Sequence, residues 1–281
     1  MGKFISGEGW LLACLLSLWP ILGAAAQGNT LVVGILPTLS PRVLLNNYQP
    51  FRIYLQQTLK RPVELVTATD FAAFHKSTMA GEYDIVVTAA HMGRLAQIDN
   101  GYLPLATYKA ANRAILLTSL TAPLKSIRDL HGRTVATLDR FALITGQALA
   151  WLEEQGIREG SDFRVLETPS HNSSGYSVLS GESALAIISP AGWKQMPANI
   201  KEGLQVYARL PEIPGLMWLA NPRLAREVPQ LKSALLAFSP ALPEGKQFFE
   251  VTGYLGMREI TPEEMKSLDP YTRYLQQHLD H

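Results

Sequence analysis

Residues 31–108 read LVVGILPTLSPRVLLNNYQPFRIYLQQTLKRPVELVTATDFAAFHKSTMAGEYDIVVTAAHMGRLAQIDNGYLPLATY. Short apolar runs alternate here with segments of helical spacing. The run 31–36 (LVVGIL) ends at Pro37 and suits a buried strand. Across 43–59, Val43, Leu44, Phe51, Tyr54, Leu55 and Leu59 are apolar, the later ones at helical intervals, and Pro50 stands where a helix can begin. Residues 63–68 (VELVTA) form a second strand. Asp70 is placed to cap a helix over 71–79, because its carboxylate can take a free amide of the first turn, and Gly81 ends that helix. Residues 83–87 (YDIVV) and 103–108 flank a helix over 91–100 that stops at Asn100-Gly101. Strand and helix alternate with short connections, which is the signature of a parallel sheet covered by helices.

The alternation then repeats. Strands are expected at 113–119, 134–138, 163–167 and 184–189, with a helical turn at 126–130 and helices at 142–154 and 173–179. Two more strands follow at 206–210 and 215–220. From Arg223 the chain is helical in character, with breaks near Pro240 and Pro243 and between Gly253 and Gly256. Two α/β lobes fit this count better than one large sheet, given usual domain sizes. The chain would cross between them near Thr118 to Thr121 and near Tyr207 to Leu210. Lobe 1 would then hold 27–117 and the return at 207–281, and lobe 2 would hold 118–206.

The beginning of the chain reads as an address. Lys3 precedes an apolar run at 10–22, and Ala24-Ala25-Ala26 offers the small residues of a cleavage site. Residues 1–26 are therefore expected to be a secretory signal peptide cut after Ala26. The run is shorter than a membrane span requires. Leu11-Leu12-Ala13-Cys14 is a poor lipidation site, because most of the apolar run follows the cysteine. Cleavage after Ala26 would remove Cys14, the one cysteine in 281 residues, and leave an exported chain with no disulfide framework.

Composition removes other classes. Lys and Arg number 25 against 24 Asp and Glu, a formal net charge of +1, so binding of nucleic acid through bulk charge is not expected. The chain has no G-x-S-x-G elbow, no G-x-G-x-x-G, no P-loop and no H-E-x-x-H. No metal or other cofactor is expected. An exported enzyme would need a nucleophile and base, and Thr88 or Ser40 with His91 is the one candidate pairing; catalytic residues are otherwise not assigned.

Four stretches together resemble the phosphate/phosphite/phosphonate-binding (PhnD-like) periplasmic substrate-binding proteins of ABC transporters. They are the opening LVVGILPTLSPRVLLNNYQPFRIYLQQTLKRPVELVTATDF, then MAGEYDIVVTAAHMGRLAQIDNGYLPLA, SIRDLHGRTVAT and IPGLMWLANPRL. The resemblance implies an α/β, two-lobed periplasmic-binding-protein type II fold with a ligand cleft between the lobes, closed by a hinge. It implies a periplasmic receptor that binds a small anion, a phosphonate, phosphite or phosphate-like oxyanion or another small organic anion, and hands it to an ABC permease. A ligand sensor that signals to a membrane sensor kinase would share the same binding chemistry.

The resemblance also points to site residues at strand ends. The loop Thr38-Leu39-Ser40-Pro41-Arg42 offers the hydroxyls of Thr38 and Ser40, or is a plain turn between prolines. Thr88 stands in a position where phosphonate binders often carry an aromatic. His91 either donates to the anion or packs at the helix start. The family's hydroxyl-rich helix start corresponds here to Asp139-Arg140-Phe141-Ala142-Leu143-Ile144-Thr145-Gly146, where Thr145 is the one hydroxyl. An anion there would rest on helix-end amides with Arg140 as counter-charge; otherwise Arg140 faces water and Thr145 is internal. His171 falls at the cleft side of lobe 2 or is a surface helix cap, and Ser189 ends the last lobe-2 strand at the cleft side. Tyr48, Tyr108 and Trp218 would be aromatic walls or core.

Overall fold

The computed structural model describes residues 30–279; the expected signal peptide lies outside the described residues. The first sheet has the order β13-β4-β12-β3-β1-β2 and the second β10-β6-β9-β7-β8, with β11 and β5 forming a two-stranded ribbon between them. In chain order the elements begin with β1 (Leu31–Ile35), α1 (Pro41–Leu59), β2 (Val63–Val66), α2 (Phe71–Met79), β3 (Ile85–Ala89), α3 (Ala90–Asn100) and β4 (Leu103–Tyr108). The ribbon strand β5 (Ala111–Asn112) leads into β6 (Ile115–Ser119), β7 (Arg133–Thr137), α4 (Leu143–Glu154), β8 (Phe163–Glu167), α5 (His171–Leu179), β9 (Leu185–Ile188), α6 (Pro190–Gln195), α7 (Ala198–Lys201) and β10 (Leu204–Arg209). The return passes through β11 (Ile213–Pro214) into β12 (Leu216–Ala220), α8 (Val228–Ala237), α9 (Pro243–Thr252), β13 (Met257–Arg258), α10 (Pro262–Lys266) and α11 (Asp269–Leu279). The result is an α/β fold of two lobes.

β1 runs parallel to both β2 and β3, whereas β12 is antiparallel to β3 and to β4. The reversed strand is the one that returns from the second lobe, so its direction follows from the insertion. All five residues of β6 and of β12's partner β3 are buried, as expected of strands covered on both faces. β6 pairs with β9 and β10 in the second sheet. The two passages between lobes therefore lie at 109–114 and 210–215, where the sequence reading set them near 118–121 and 207–210. β5 and β6 are only two residues apart, Arg113 and Ala114, and it is hydrogen bonding that assigns them to different sheets.

The helix expected to gather regularity at Pro50 instead starts at Pro41 and runs through Pro50. Pro41 fits the first helical turn, where no intrahelical N–H bond is needed. Pro50 removes one internal bond, but it lies on a face that also buries Leu44, Tyr48, Phe51 and Leu55. Burial of that face offsets the lost bond. The core of the first lobe gathers Phe51, Phe238, Phe248 and Trp218, with Phe51 and Phe238 centroids 4.9 Å apart at 87°. Tyr48, Tyr108 and Trp218 are all within 1% of full burial, and the two tyrosine hydroxyls meet at 3.2 Å, so these three rings are core.

Candidate functional site

Three strand ends of the first lobe and three of the second turn into helices on facing sides. β1, β2 and β3 lead to α1, α2 and α3; β7, β8 and β9 lead to α4, α5 and α6. Open α/β sheets bind ligands beyond such carboxyl ends, where helix amides stand free. At α2 the expected cap forms, with Asp70 Oδ1 accepting the Ala73 amide at 2.8 Å. At the far end of the sheet, Asp84 takes the Val32 amide and Arg223, away from the turns.

One contact between the two lobes is a specific hydrogen bond. His91, at the start of α3, has its Nε2 3.0 Å from the carbonyl oxygen of Phe141 in the β7–α4 turn. A carbonyl only accepts, so Nε2 carries the proton in the neutral ring. His91 is 1% exposed, and its Nδ1 has no hydrogen-bond partner among the described residues. Burial holds its pKa down at about 4, against the smaller opposing effect of the Phe141 bond and with a small push from His75. Around this contact the lobes share one apolar cluster: Ala89, Ala90 and Met92 from the first, Leu143 with Phe141 beside it from the second.

The β7–α4 turn is tightly committed to itself. Thr145 is fully buried and its hydroxyl donates to the Asp139 carbonyl at 2.7 Å, so the Thr137 hydroxyl 2.6 Å away must be the donor to Thr145. Asp139 Oδ1 accepts the Phe141 amide at 2.6 Å. Its carboxyl pKa is nonetheless raised, by burial first and then by the like charges of Glu167 and Asp70. Arg140 turns to Glu159 at 2.5 Å and to the Tyr274 hydroxyl at 3.2 Å. Its charge is thus matched inside the protein, and it is the Arg140 backbone amide that reaches Glu167, at 2.7 Å.

The remaining expected residues divide by exposure. Thr88 is buried in β3 opposite Met217 of β12. His171 opens α5 and its Nε2 lies 3.1 Å from the hydroxyl of Ser189, which also caps α6 by accepting the Gly192 amide at 3.0 Å. Burial lowers the pKa of His171. Gly192 is required there, because a Cβ would collide with the His171 ring. Thr38 and Ser40 are exposed in the β1–α1 loop, and Ser40 makes no side-chain cap bond. The structure thus brings His91 and the β7–α4 turn together, joins His171 to Ser189, and leaves Thr38 and Ser40 open to solvent. Neither Ser40 nor Thr88 is a hydrogen-bond partner of His91 among the described residues.

Sequence reading did not anticipate two features of this seam. One is that the like charges of Glu167 in the second lobe and Asp70 in the first both raise the carboxyl pKa of Asp139; the signal was that all three follow strand ends closely in sequence. The other is Gln147 of α4, 2% exposed, whose Oε1 accepts the Ala114 amide at 2.7 Å and whose Nε2 donates to the Pro211 carbonyl at 2.8 Å. It ties together both passages between the lobes, and no sequence motif marks it.

The same architecture occurs in solved proteins. XAC2383 from Xanthomonas citri, solved bound to a chloride ion, is 18% identical, with 90% of this chain and 99% of that one covered and a TM-score of 0.77. PhnD1 from Prochlorococcus marinus, solved with methylphosphonate, is 16% identical over 88% and 98%, at a TM-score of 0.73. A binding protein component of an ABC phosphonate transporter from Pseudomonas aeruginosa is 17% identical over 89% and 87%, at 0.68. At such identities these are likenesses of fold. The family model described as "ABC transporter, phosphonate, periplasmic substrate-binding protein" matches residues 33–265, and the chain belongs to that family of periplasmic substrate-binding proteins.

Proposed function

We propose that this chain is the exported receptor of an ABC importer, released from a signal peptide at 1–26, and that it binds a small phosphorus oxyanion or related organic anion by closing its lobes. The observation that carries the reading is the meeting of the β3–α3 and β7–α4 turns across the seam at His91 and Phe141, in a chain matched by that family over 33–265. The anion would lie against helix-end amides, with the open hydroxyls of Thr38 and Ser40 approaching from the first lobe. Arg140 is paired with Glu159 and is not needed as counter-charge. The carboxylates Asp70, Asp139 and Glu167 favour a ligand that also carries an ammonium group, because an anion alone would be repelled by them. Ligand contacts with both lobes would shift an open–closed equilibrium, and the closed form would be the one the permease recognises.

A thermal-shift screen tests this. Phosphate, phosphite, methylphosphonate, an aminoalkylphosphonate, sulfate and small carboxylates would be compared. Ligand at 100 times its Kd stabilises by about 2.7 kcal/mol if it binds only the folded chain. The expected result is stabilisation by a phosphorus compound, greatest for the aminoalkyl form. Stabilisation by sulfate or carboxylates alone would overturn the ligand class.

A further inference from the structure

We propose that α11 is a strap that ties the two lobes together and biases them toward the closed arrangement. On the first-lobe side, Asp269 in its first turn accepts Arg94 Nε of α3 at 2.7 Å. Leu268 and Leu275 are fully buried in the apolar cluster that holds Leu95 and Ala96 of α3 and Met217 and Leu219 of β12. On the second-lobe side, Tyr271 and Tyr274 lie over Gly146 of α4, where a Cβ would sit 3.9 Å from each. The Tyr274 hydroxyl accepts from Arg140 at 3.2 Å and lies 3.4 Å from Glu159. The residue after Gly146 in α4, Gln147, is the side chain that spans Ala114 and Pro211 at the ribbon.

One helix therefore grips a first-lobe helix and a second-lobe helix, and the second of these carries the Gln147 that joins both passages of the hinge. A rotation that parts α3 from α4 must break at least one of these grips, because helices packed at side-chain contact move as rigid pieces. The strap adds to the closed state an interaction that the ligand does not supply, and so raises apparent affinity by raising the competent population. This inference rests on hinge closure but not on the identity of the ligand.

The test is an interlobe distance measured without ligand. Spin labels at Ala72→Cys and Asn172→Cys, two exposed first-turn positions of α2 and α5, report the opening of the seam in the full chain carrying Cys14→Ser. Arg94→Ala and Tyr274→Phe each remove one grip, the second by deleting the hydroxyl that meets Arg140 and Glu159. Each is expected to raise the ratio of long to short distances about five-fold, the effect of losing one ordinary hydrogen bond or ion pair. Arg61→Ala breaks a comparable pair with Glu227 inside the first lobe and should leave the ratio unchanged. If Arg94→Ala does not fold, Asp269→Asn removes the same ion pair at constant volume. Unchanged ratios in folded strap variants, or an equal shift with Arg61→Ala, would overturn the proposal. A wild-type ratio that ignores a bound anion would overturn closure on the ligand, while a shift in the strap variants would still support the strap.

Discussion

His91 gives the seam a pH signature. Its ring is buried between the lobes, and its pKa falls from the ordinary 6.5 to about 4. As pH drops below 6.5, an unfolded chain protonates this imidazole while the folded chain does not. Stability is therefore fully present above 6.5 and is lost progressively as pH falls toward 4. A gap of about 2.5 pH units, at about 1.4 kcal/mol per unit, makes the loss about 3 kcal/mol. His91→Gln isolates this contribution, because a carboxamide can still donate to the Phe141 carbonyl but does not titrate. Unfolding free energies from urea denaturation of both proteins at pH 7, 6, 5 and 4 give the comparison. The difference, wild type minus His91→Gln, should fall by about 3 kcal/mol over that range. Asp139, whose raised pKa acts in the opposite direction, is common to both proteins and cancels. A difference that holds constant would refute the reasoning: His91 would then be hydrated in solution and the lobes apart.

Three further outcomes are expected. Gln147→Leu leaves the buried Ala114 amide without its acceptor and should cost about 1–3 kcal/mol, read as a lower Tm. Gly93→Ala places a methyl 2.5 Å from Met217 Sδ and 2.8 Å from Leu219 Cδ1 and should cost about 1–3 kcal/mol by overpacking α3 on β12; a neutral melting curve would mean that this packing is loose. Thr38→Val with Ser40→Ala should leave the Tm of the free chain unchanged while weakening a phosphorus anion by about 1.5–3 kcal/mol in calorimetry, the scale of a hydrogen bond to a charged group.

The fold was legible because its signals are local. Apolar runs of five or six residues, closed by Pro37, Gly81 and Asn100-Gly101, announce buried strands and helix ends whatever lies around them. Asp70 at a helix start could be read as a cap, and it is one. Pro50 misled because the gain that carries α1 through it comes from rings distant in sequence, Phe248 at 6.0 Å and Phe238 at 4.9 Å from Phe51. The passage at 109–114 was displaced for the same reason: the apolar run 113–119 looks uniform, and its membership of the second sheet is decided by pairing with β9 and β10.

The site was less legible, and Arg140 shows why. In sequence it is the one cation of a helix-start loop, and the chemistry of a free guanidinium follows naturally. Its partners, Glu159 and Tyr274, lie 19 and 134 residues away. The same loop explains the missing hydroxyls. Phe141 and Leu143 stand near the helix start where a hydroxyl-rich loop would hold an anion by its side chains, and the structure uses them in the apolar cluster shared by both lobes. The Phe141 carbonyl receives His91, and the Arg140 side chain anchors α11. Side chains at this turn are thus spent on joining the lobes, and under the proposed function the ligand would have to be held here by backbone amides. Amides recognise negative charge and read little else, so in the proposed receptor discrimination among anions would come from the shape of the closed seam and from the charges of Asp70, Asp139 and Glu167. If the proposed receptor function holds, residues that hold the lobes together and residues that choose the ligand would be coupled, and a substitution in either set should move both affinity and closure.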